Sequence, residues 1–335
     1  MRSWERLTVV ALAAIGCSCS MAFVTPVSVA TAAGRSATLR FATATTPANG
    51  ALSLDPAAAK PAPAAPAQAA PLLLAPPALY QNAVELGAKK AAMPINKILT
   101  LGILSGCHIG FGALLAVTVG GNVPEMAAAN PGAQKFLLGA VGLPFGLFMT
   151  LVGGGELFTG NTALVTAALL EKRASLKGLL KSWSISYLGN FLGSLLLAAI
   201  AVNAGIIAVP ALKGVACAKA AVYPVQSFFR GLLCNWLVCM AVYMSAGASD
   251  AGGKLAAIFL PISAFVALGT DHCVANMFLL PAAMMVGADI GLGRFLFGHL
   301  LPVTLGNIVG GAAAVAGMYS LAFGSGGAKA AEKTA

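Results

Sequence analysis

Charged side chains are scarce in this sequence. Only 9% of its 335 residues are Asp, Glu, Lys or Arg, whereas 59% are hydrophobic. A soluble globule of this length needs more charge to cover its surface. The composition therefore excludes a soluble protein and predicts an integral membrane protein.

Other features are absent as well. The seven cysteines form no CxxC pair, so neither a disulfide framework nor a zinc site is expected. The apolar runs do not alternate with polar residues, as the strands of a membrane β-barrel would. The twenty basic residues are scattered through the connections, so we expect no nucleic-acid partner. With no cofactor motif or metal-ligand set, we also expect no cofactor.

The N-terminus has the composition of a two-part targeting leader. Residues 1–22 combine two arginines, an apolar run and small residues, which is typical of a secretory signal peptide. Residues 23–54 carry Ser, Thr and Arg but no acid, which is typical of a transit peptide. The Ala22-Phe23 junction resembles plastid leaders of algae with secondary plastids, and it predicts a plastid envelope protein. A bacterial lipobox at residues 14–17 is the competing interpretation.

The remaining chain divides by composition. Residues 55–79 form an Ala/Pro-rich linker, residues 80–326 a membrane domain, and residues 327–335 a polar tail. Within the domain, charge or Gly and Pro bound six apolar segments. These segments are 98–119, 136–170, 183–212, 220–249, 255–288 and 295–326.

Two of the segments are too long for one straight helix. The second would measure about 52 Å, against about 30 Å of hydrocarbon. It contains Gly-Gly-Gly-Glu at 153–156, and the fifth contains Gly-Thr-Asp-His at 269–272. Irregular backbone survives at membrane depth only where it lines a cavity or is buried in protein, so we predict that both helices are broken.

The two halves of the domain also repeat. The pattern Gly-x-acid-x4-Asn occurs at 154–161 and again 115 positions later, and LGNxxG at 188–193 recurs 117 positions later. Three spans per half invert the second copy in the membrane. We therefore predict an all-α protein with six transmembrane helices in an inverted repeat and a pathway between the two breaks.

Lysine and arginine predict the orientation. With six spans, ten basic residues fall on the side of both termini and five fall on or near the other side, which places both termini in the stroma of a plastid. The ten are Lys89, Lys90, Lys97, Lys172, Arg173, Lys177, Lys181, Lys254, Lys329 and Lys333. The five are Lys135, Lys213, Lys219, Arg230 and Arg294.

Four strings resemble, in order, motifs of the formate/nitrite transporter family. They are GGELFTGN at 154–161, RGLLCNWLVC at 230–239, DHCVANMF at 271–278 and PVTLGNIVGG at 302–311. The resemblance covers residues 80–323. It implies an aquaporin-like protomer of six helices, a homopentamer in the lipid bilayer with one pore per protomer, and selectivity for small monovalent anions of weak acids.

The resemblance also implies roles for single residues. Leu143 takes a constriction position where some members carry an aromatic side chain. The other matches are His272 as the central pore histidine, Thr159 as the hydroxyl facing it, Asn235 and Asn307 as the amides around it, Lys219 as the vestibule lysine, and Phe158, Phe265 and Leu147 as apolar constrictions.

The chemistry of the two breaks also predicts a mechanism, independently of the family resemblance. A bare anion is costly in hydrocarbon, and desolvation favours the protonated form of a weak acid. Histidine exchanges protons near neutral pH. We therefore expect a proton relayed through His272 to neutralise the anion between Phe158 and Phe265, while the free N–H groups of the opened helix ends attract it.

The acids at the breaks are expected to be structural. Glu156 and Asp271, with Asn161 and Asn276 five positions later, occupy matched places in the two halves. We expect the two carboxylates to support the broken backbone by accepting N–H bonds.

Alternative functions remain open at this point. An aquaporin-like pore for neutral solutes shares two broken helices but normally shows Asn-Pro-Ala boxes, which are absent here. A membrane enzyme using His272, Cys273 and Asp271 lacks a second titratable cluster. His108 and His299 are expected to be satisfied core residues. Nitrite, formate and bicarbonate all fit the same donors, and the plastid leader favours nitrite.

Overall fold

The computed structural model describes residues 73–325. The predicted signal peptide, the transit peptide, most of the linker and the polar tail lie outside these residues. The described part is helical, with one isolated bridge between Leu73 and Ala248. Its helices are α1 (Pro76–Ala92), α2 (Ile95–Val119), α3 (Pro124–Ala129), α4 (Pro131–Val141), α5 (Leu143–Val152), α6 (Phe158–Leu170), α7 (Leu176–Asn203), α8 (Val209–Ala220), α9 (Pro224–Ala246), α10 (Ala251–Ala267), α11 (Cys273–Met285) and α12 (Arg294–Phe323).

Five stretches are long and apolar enough to cross a membrane: α2, α4 with α5 as one unit, α7, α9 and α12. The helices α6, α10 and α11 are apolar but shorter. The second span is therefore α4 and α5 followed by α6, and the fifth is α10 followed by α11. This arrangement confirms the predicted six-span fold with its second and fifth helices broken.

Each break contains a glycine in the left-handed region of backbone conformation. Gly154 has a φ of +80° and Gly269 has a φ of +75°. Side chains with a Cβ rarely adopt this conformation, so glycine lets the chain leave one helix and start the next within five residues. The Gly-rich strings were therefore correctly interpreted as helix ends.

Two of the differences from the predicted boundaries involve an additional helix. The third segment was expected to reach Leu212, but α7 ends at Asn203 and Gly205 turns the chain with a φ of +68°. Leu212 belongs to α8. The helix α1 begins at Pro76, inside the predicted linker, because consecutive prolines fit the first turn of a helix.

The helices α1 and α8 were missed because each is too short or too polar to read as a span. Each precedes a long helix of its half, α2 or α9, and each carries a lysine near its last turn. The repeating unit is therefore an extra helix followed by three spans.

Glycines bring the long helices into direct backbone contact. A Cβ on Gly106 of α2 would collide with the carbonyl oxygen of Asn190 in α7. In the second half, a Cβ on Gly306 of α12 would collide with the carbonyl oxygen of Phe228 in α9. In a lipid environment the hydrophobic effect does not drive helices together, so close van der Waals contacts of this kind stabilise their association.

The two ends of the described chain meet at one face, which we call the terminal face. The Glu171 carboxylate accepts hydrogen bonds from Tyr80 Oη, Ser320 Oγ and Ser325 N, each at 2.9 Å. Burial acts to raise the pKa of Glu171, but these bonds outweigh it and the pKa lies below its usual value. The carboxylate thus joins α1, the α6–α7 turn and the end of α12.

Candidate functional site

His272 caps the N-terminus of α11, directly after the second break. Its Nδ1 accepts a hydrogen bond from the backbone N–H of Ala275 at 3.1 Å. Its Nε2 lies 2.9 Å from Thr159 Oγ1, in the first turn of α6. The predicted pair therefore meets across the two halves of the protein.

This geometry defines the proton on the imidazole. A backbone N–H can only donate, so Nδ1 must be an unprotonated acceptor. The neutral ring then carries its hydrogen on Nε2 and presents it to Thr159. The site consequently offers hydrogen-bond donors without a fixed positive charge at its centre.

Two cavities adjoin the imidazole, and Phe265 lines both of them. The larger, about 60 Å³, extends past Gly269 and Thr270 to Lys219. The smaller, about 10 Å³, is bounded by aliphatic side chains including Leu147 and barely accommodates one water. Leu143 lines both cavities as well. The space around the imidazole is therefore polar at His272 and apolar and narrow beside it.

A buried ion pair supports each break. Lys90 Nζ lies 2.6 Å from Glu156 Oε1, and Lys219 Nζ lies 2.6 Å from Asp271 Oδ1. Both carboxylate side chains are almost fully buried, whereas both lysine side chains are 20% exposed. Each buried carboxylate is thus paired with a lysine that still contacts solvent. Without such a partner, burial of the negative charge would be costly.

The following asparagines complete these networks. Asn161 Nδ2 donates to Glu156 Oε2 at 2.9 Å, and Asn276 Nδ2 donates to Asp271 Oδ1 at 3.2 Å. One acid and one asparagine thus pair at each break, where the sequence placed them. The expected partners were wrong, because the carboxylates accept these hydrogen bonds from side chains rather than from backbone N–H groups of the break.

Two other asparagines hold the broken backbone. Asn190 Oδ1 accepts from Phe158 N at 2.9 Å, while its Nδ2 donates to the carbonyl oxygens of Gly102 and Glu156. Asn307 does the same for the second break with Cys273 N, Gly231 O and Asp271 O. They are the asparagines of the two LGNxxG strings.

These bonds change the interpretation of Asn307. It was expected beside the substrate, but both of its amide hydrogens and its oxygen are engaged with backbone groups. It supports the break and has no free donor for an anion. Asn190 was missed, although its place in the first LGNxxG string could have revealed the same role.

Lys90 was also missed as a site residue. The sequence interpretation used it only to count charges for topology. Its partner Glu156 is equivalent to Asp271, so the pairing of Lys219 with Asp271 has a full counterpart in the first half. An unpaired acid at membrane depth was the signal that a cation had to be nearby.

Asn235 lies behind Thr159. Its Nδ2 lies within hydrogen-bonding distance of the Thr159 carbonyl at 3.3 Å, Thr162 Oγ1 at 2.9 Å and the Asn307 carbonyl at 2.6 Å. Its buried Oδ1 has no hydrogen-bond partner within residues 73–325. The amide thus fixes the first turn of α6, which carries the Thr159 hydroxyl.

The first half has no counterpart of the histidine. Leu157, 115 positions before His272, is buried at the start of α6. The next side chain, Phe158, packs edge-on against Trp183 and Tyr187 at centroid distances of 6.3 and 5.0 Å. Its role as a constriction stays a prediction.

The two other histidines differ from each other. His299 is fully buried, with Nε2 2.9 Å from Asn276 Nδ2 and Nδ1 3.4 Å from Ser227 Oγ, so its ring is satisfied as expected. His108 has a buried Nδ1 without a hydrogen-bond partner in the described part of the chain. The expectation of a satisfied core residue is wrong for that atom.

Comparison with known proteins decides the family. The model of the family described as formate/nitrite transporter matches residues 77–321, which is well over half of the chain. The chain belongs to the formate/nitrite transporter family. The four strings found in the sequence all lie within the matched range.

Two relatives within the family match along most of their own length. A probable formate transporter of Methanothermobacter thermautotrophicus is 39% identical over 249 residues, which are 69% of this chain and 90% of that protein. The formate channel BtFdhC of Bacillus thuringiensis is 35% identical over 244 residues, 70% of this chain and 90% of that protein.

Solved structures share the fold. A structure described as an FNT family ion channel superposes with a TM-score of 0.67 at 27% identity, covering 73% of this chain and 98% of that chain. A pentameric formate channel with formate bound gives a TM-score of 0.59 at 30% identity, with coverages of 68% and 97%. The helical membrane fold is thus common to this chain and to family channels.

Proposed function

We propose that this chain is a transmembrane channel or transporter for small monovalent anions of weak acids. The observation that carries the proposal is the pair of His272 Nε2 and Thr159 Oγ1, 2.9 Å apart, beside a narrow apolar passage. Formate and nitrite each present delocalised negative oxygens that accept from such donors. Relatives that are named formate transporters and channels support this class of substrate.

The passage itself disfavours a permanent charge. Between Leu147 and Phe265 the walls are hydrocarbon, and a bare anion there loses its hydration without a cationic partner. Desolvation favours the protonated acid. An anion that reaches this site therefore crosses most readily after it gains a proton near His272.

The proposed relay through His272 makes a specific demand on the structure. To become an imidazolium the ring must take a proton from water on Nδ1, so Ala275 N–H must give up its acceptor. That lost hydrogen bond costs about 1 kcal/mol. Nε2 then gives its proton to the anion, and the ring is left neutral with its hydrogen on Nδ1. A change of tautomer restores the starting state.

We propose nitrite as the physiological anion and the plastid envelope as the location, with both termini in the stroma. The acid-free Ser/Thr/Arg stretch at 23–54 supports the address, and nitrite is reduced in plastids. Formate or bicarbonate would use the same pore. A fusion of residues 1–56 to a fluorescent protein tests the address in an alga with a secondary plastid, and fluorescence confined to the plasma membrane would contradict it.

We further propose a homopentamer, supported by the pentameric formate channel that shares the fold. Native mass spectrometry of the detergent-purified protein should show five chains. A stable tetramer would instead favour the aquaporin-like alternative.

Flux measurements test the substrate. Proteoliposomes with the purified protein should take up labelled nitrite, formate or bicarbonate faster than protein-free vesicles, and the fastest anion identifies the preference. Osmotic water flux is the matched control. Rapid water flux without uptake of any of the three anions would refute the proposal in favour of a neutral-solute pore.

A further inference from the structure

Two lateral grooves follow one another along α7. The first, about 520 Å³, is lined by Lys177, Lys181 and aliphatic side chains such as that of Leu180. The second, about 340 Å³, is lined by apolar and aromatic side chains, among them Leu188 of α7 and Phe297 of α12. Both grooves lie away from the passage at His272, and we refer to them together as the α7 furrow.

The α7 furrow matches the depth of one lipid leaflet. Leu180, Ser184, Leu188 and Phe191 are spaced by four, four and three residues, so they share one face of the helix. From Lys177 to Phe191 the helix rises about 21 Å. One leaflet is about 15 Å of hydrocarbon, or about 20–22 Å when its headgroup region is included. The furrow therefore runs from the headgroup level at the terminal face to the middle of the bilayer.

The charge at its outer end is positive and uncompensated. Lys177 is exposed and takes part in no hydrogen bond or ion pair found within residues 73–325. Lys181 donates one hydrogen to the Met93 carbonyl at 2.7 Å and keeps two others. The two lysines are one turn apart and repel each other, so an anion between them is favourable.

We propose that the α7 furrow binds an anionic phospholipid. Its phosphate lies between Lys177 and Lys181 within reach of the Ser184 hydroxyl, and one acyl chain follows Leu180 and Leu188 toward Phe191. A zwitterionic lipid fits the same apolar path, but its own cation meets the two lysines. Charge complementarity therefore selects the anionic lipid.

Native mass spectrometry of the full chain tests this site with phosphatidylglycerol and phosphatidylcholine as probes. We expect wild-type protein to retain phosphatidylglycerol in preference. Each lysine contributes about fivefold to affinity, so Lys177→Gln with Lys181→Gln should weaken retention about 25-fold. The matched control is Lys97→Gln with Lys172→Gln, which removes the same charge outside the furrow and should change retention by less than twofold.

A second variant tests the apolar path. Leu188→Trp fills the inner groove and should weaken both lipids by a similar factor while the preference for phosphatidylglycerol remains. Equal retention of the two lipids by wild type would overturn the proposal, as would equal losses in the two double variants, which would indicate general attraction to a basic face. A short-range photo-crosslinker attached to Leu180→Cys that captures a second copy above the wild-type level would show that a neighbouring subunit covers the furrow, and would also overturn the proposal.

Discussion

Tyr187 and Thr304 occupy equivalent places in the two halves, 117 positions apart, and their hydroxyl oxygens lie 3.1 Å from each other. A residue that contacts its own counterpart lies close to the axis that relates the two copies. The Thr159 and His272 pair also joins the halves, at the starts of α6 and α11. The centre of the protein is thus built where the two halves meet.

The variant His272→Asn tests the proton relay. Asn can still cap α11 through its Oδ1 and retains a polar side chain, so fold and assembly should be retained, but it carries no exchangeable ring proton. We expect proton-coupled uptake to be lost, leaving no flux or an uncoupled anion current. Proteoliposome uptake with a pH-sensitive dye measures it. Wild-type uptake with wild-type proton co-movement would leave His272 as a donor only.

The ion pair of Lys90 with Glu156 should behave as a unit. Lys90→Met alone leaves a buried carboxylate unpaired and should destabilise the protein by about 2–3 kcal/mol. Adding Glu156→Gln removes that charge and should restore much of the loss. Thermal unfolding in detergent measures both variants. Lys219→Met and Asp271→Asn form the matched pair, and additive losses in either pair would show that the charges are not coupled.

Phe265 and Phe158 should respond differently to truncation. Phe265→Ala opens both cavities and should relax size selection, so that larger monocarboxylates enter, with the pH dependence of uptake largely retained. Phe158→Ala removes contacts with Trp183 and Tyr187 and should cost about 3 kcal/mol of stability. Uptake of a size series and melting curves separate the two. Relaxed selection in Phe158→Ala at unchanged stability would establish it as the constriction.

The Glu171 junction predicts a pH-dependent stability. The pKa of Glu171 is lowered on folding, so its contribution is present above its ordinary value and is lost as the pH falls through the folded pKa. The melting temperature should therefore drop more steeply in acid for wild type than for Glu171→Gln. The free energy of unfolding that wild type loses in excess of the variant should be about 1 kcal/mol. Identical slopes would show that Glu171 adds nothing to stability.

Glycine contacts predict a position-dependent cost. Gly306→Ala drives a methyl group into the Phe228 carbonyl and should cost about 3 kcal/mol or prevent folding. Gly214→Ala lies in α8, where an added Cβ would meet no other part of residues 73–325 within 4 Å, and it should be neutral or slightly stabilising. Expression and melting temperature give the comparison. Equal behaviour of the two variants would contradict the close packing of α9 and α12.

The sequence predicted much of this fold because membrane spans and glycine breaks leave local signals. Six apolar segments, Gly154 and Gly269 were enough to define the spans and the breaks. The helices α1 and α8 gave no such signal, since their character depends on the partners they pack against. The predicted end of the third segment was wrong because apolar composition alone cannot show where a turn at Gly205 divides two helices.

For the site, the sequence identified the residues better than their contacts. His272 and Thr159 face each other, and Glu156 and Asp271 each lie at one of the two breaks. Which side chain pairs with which depends on three-dimensional placement, so Lys90 and Asn190 were missed. The role of Asn307 was misassigned because a motif names an amide but not the groups that its hydrogens reach.

The presence of leucine at position 157, where the other half has His272, has a consequence for the kinetics of anion uptake. The backbone is duplicated, but only the start of α11 carries a side chain that can exchange a proton, whereas the start of α6 contributes the Thr159 hydroxyl that faces it. With one proton-exchanging side chain, one anion must be protonated and move on before the next can be protonated. The rate of uptake should then rise hyperbolically with anion concentration. A second anion should inhibit the uptake of the first and should not accelerate it at any concentration.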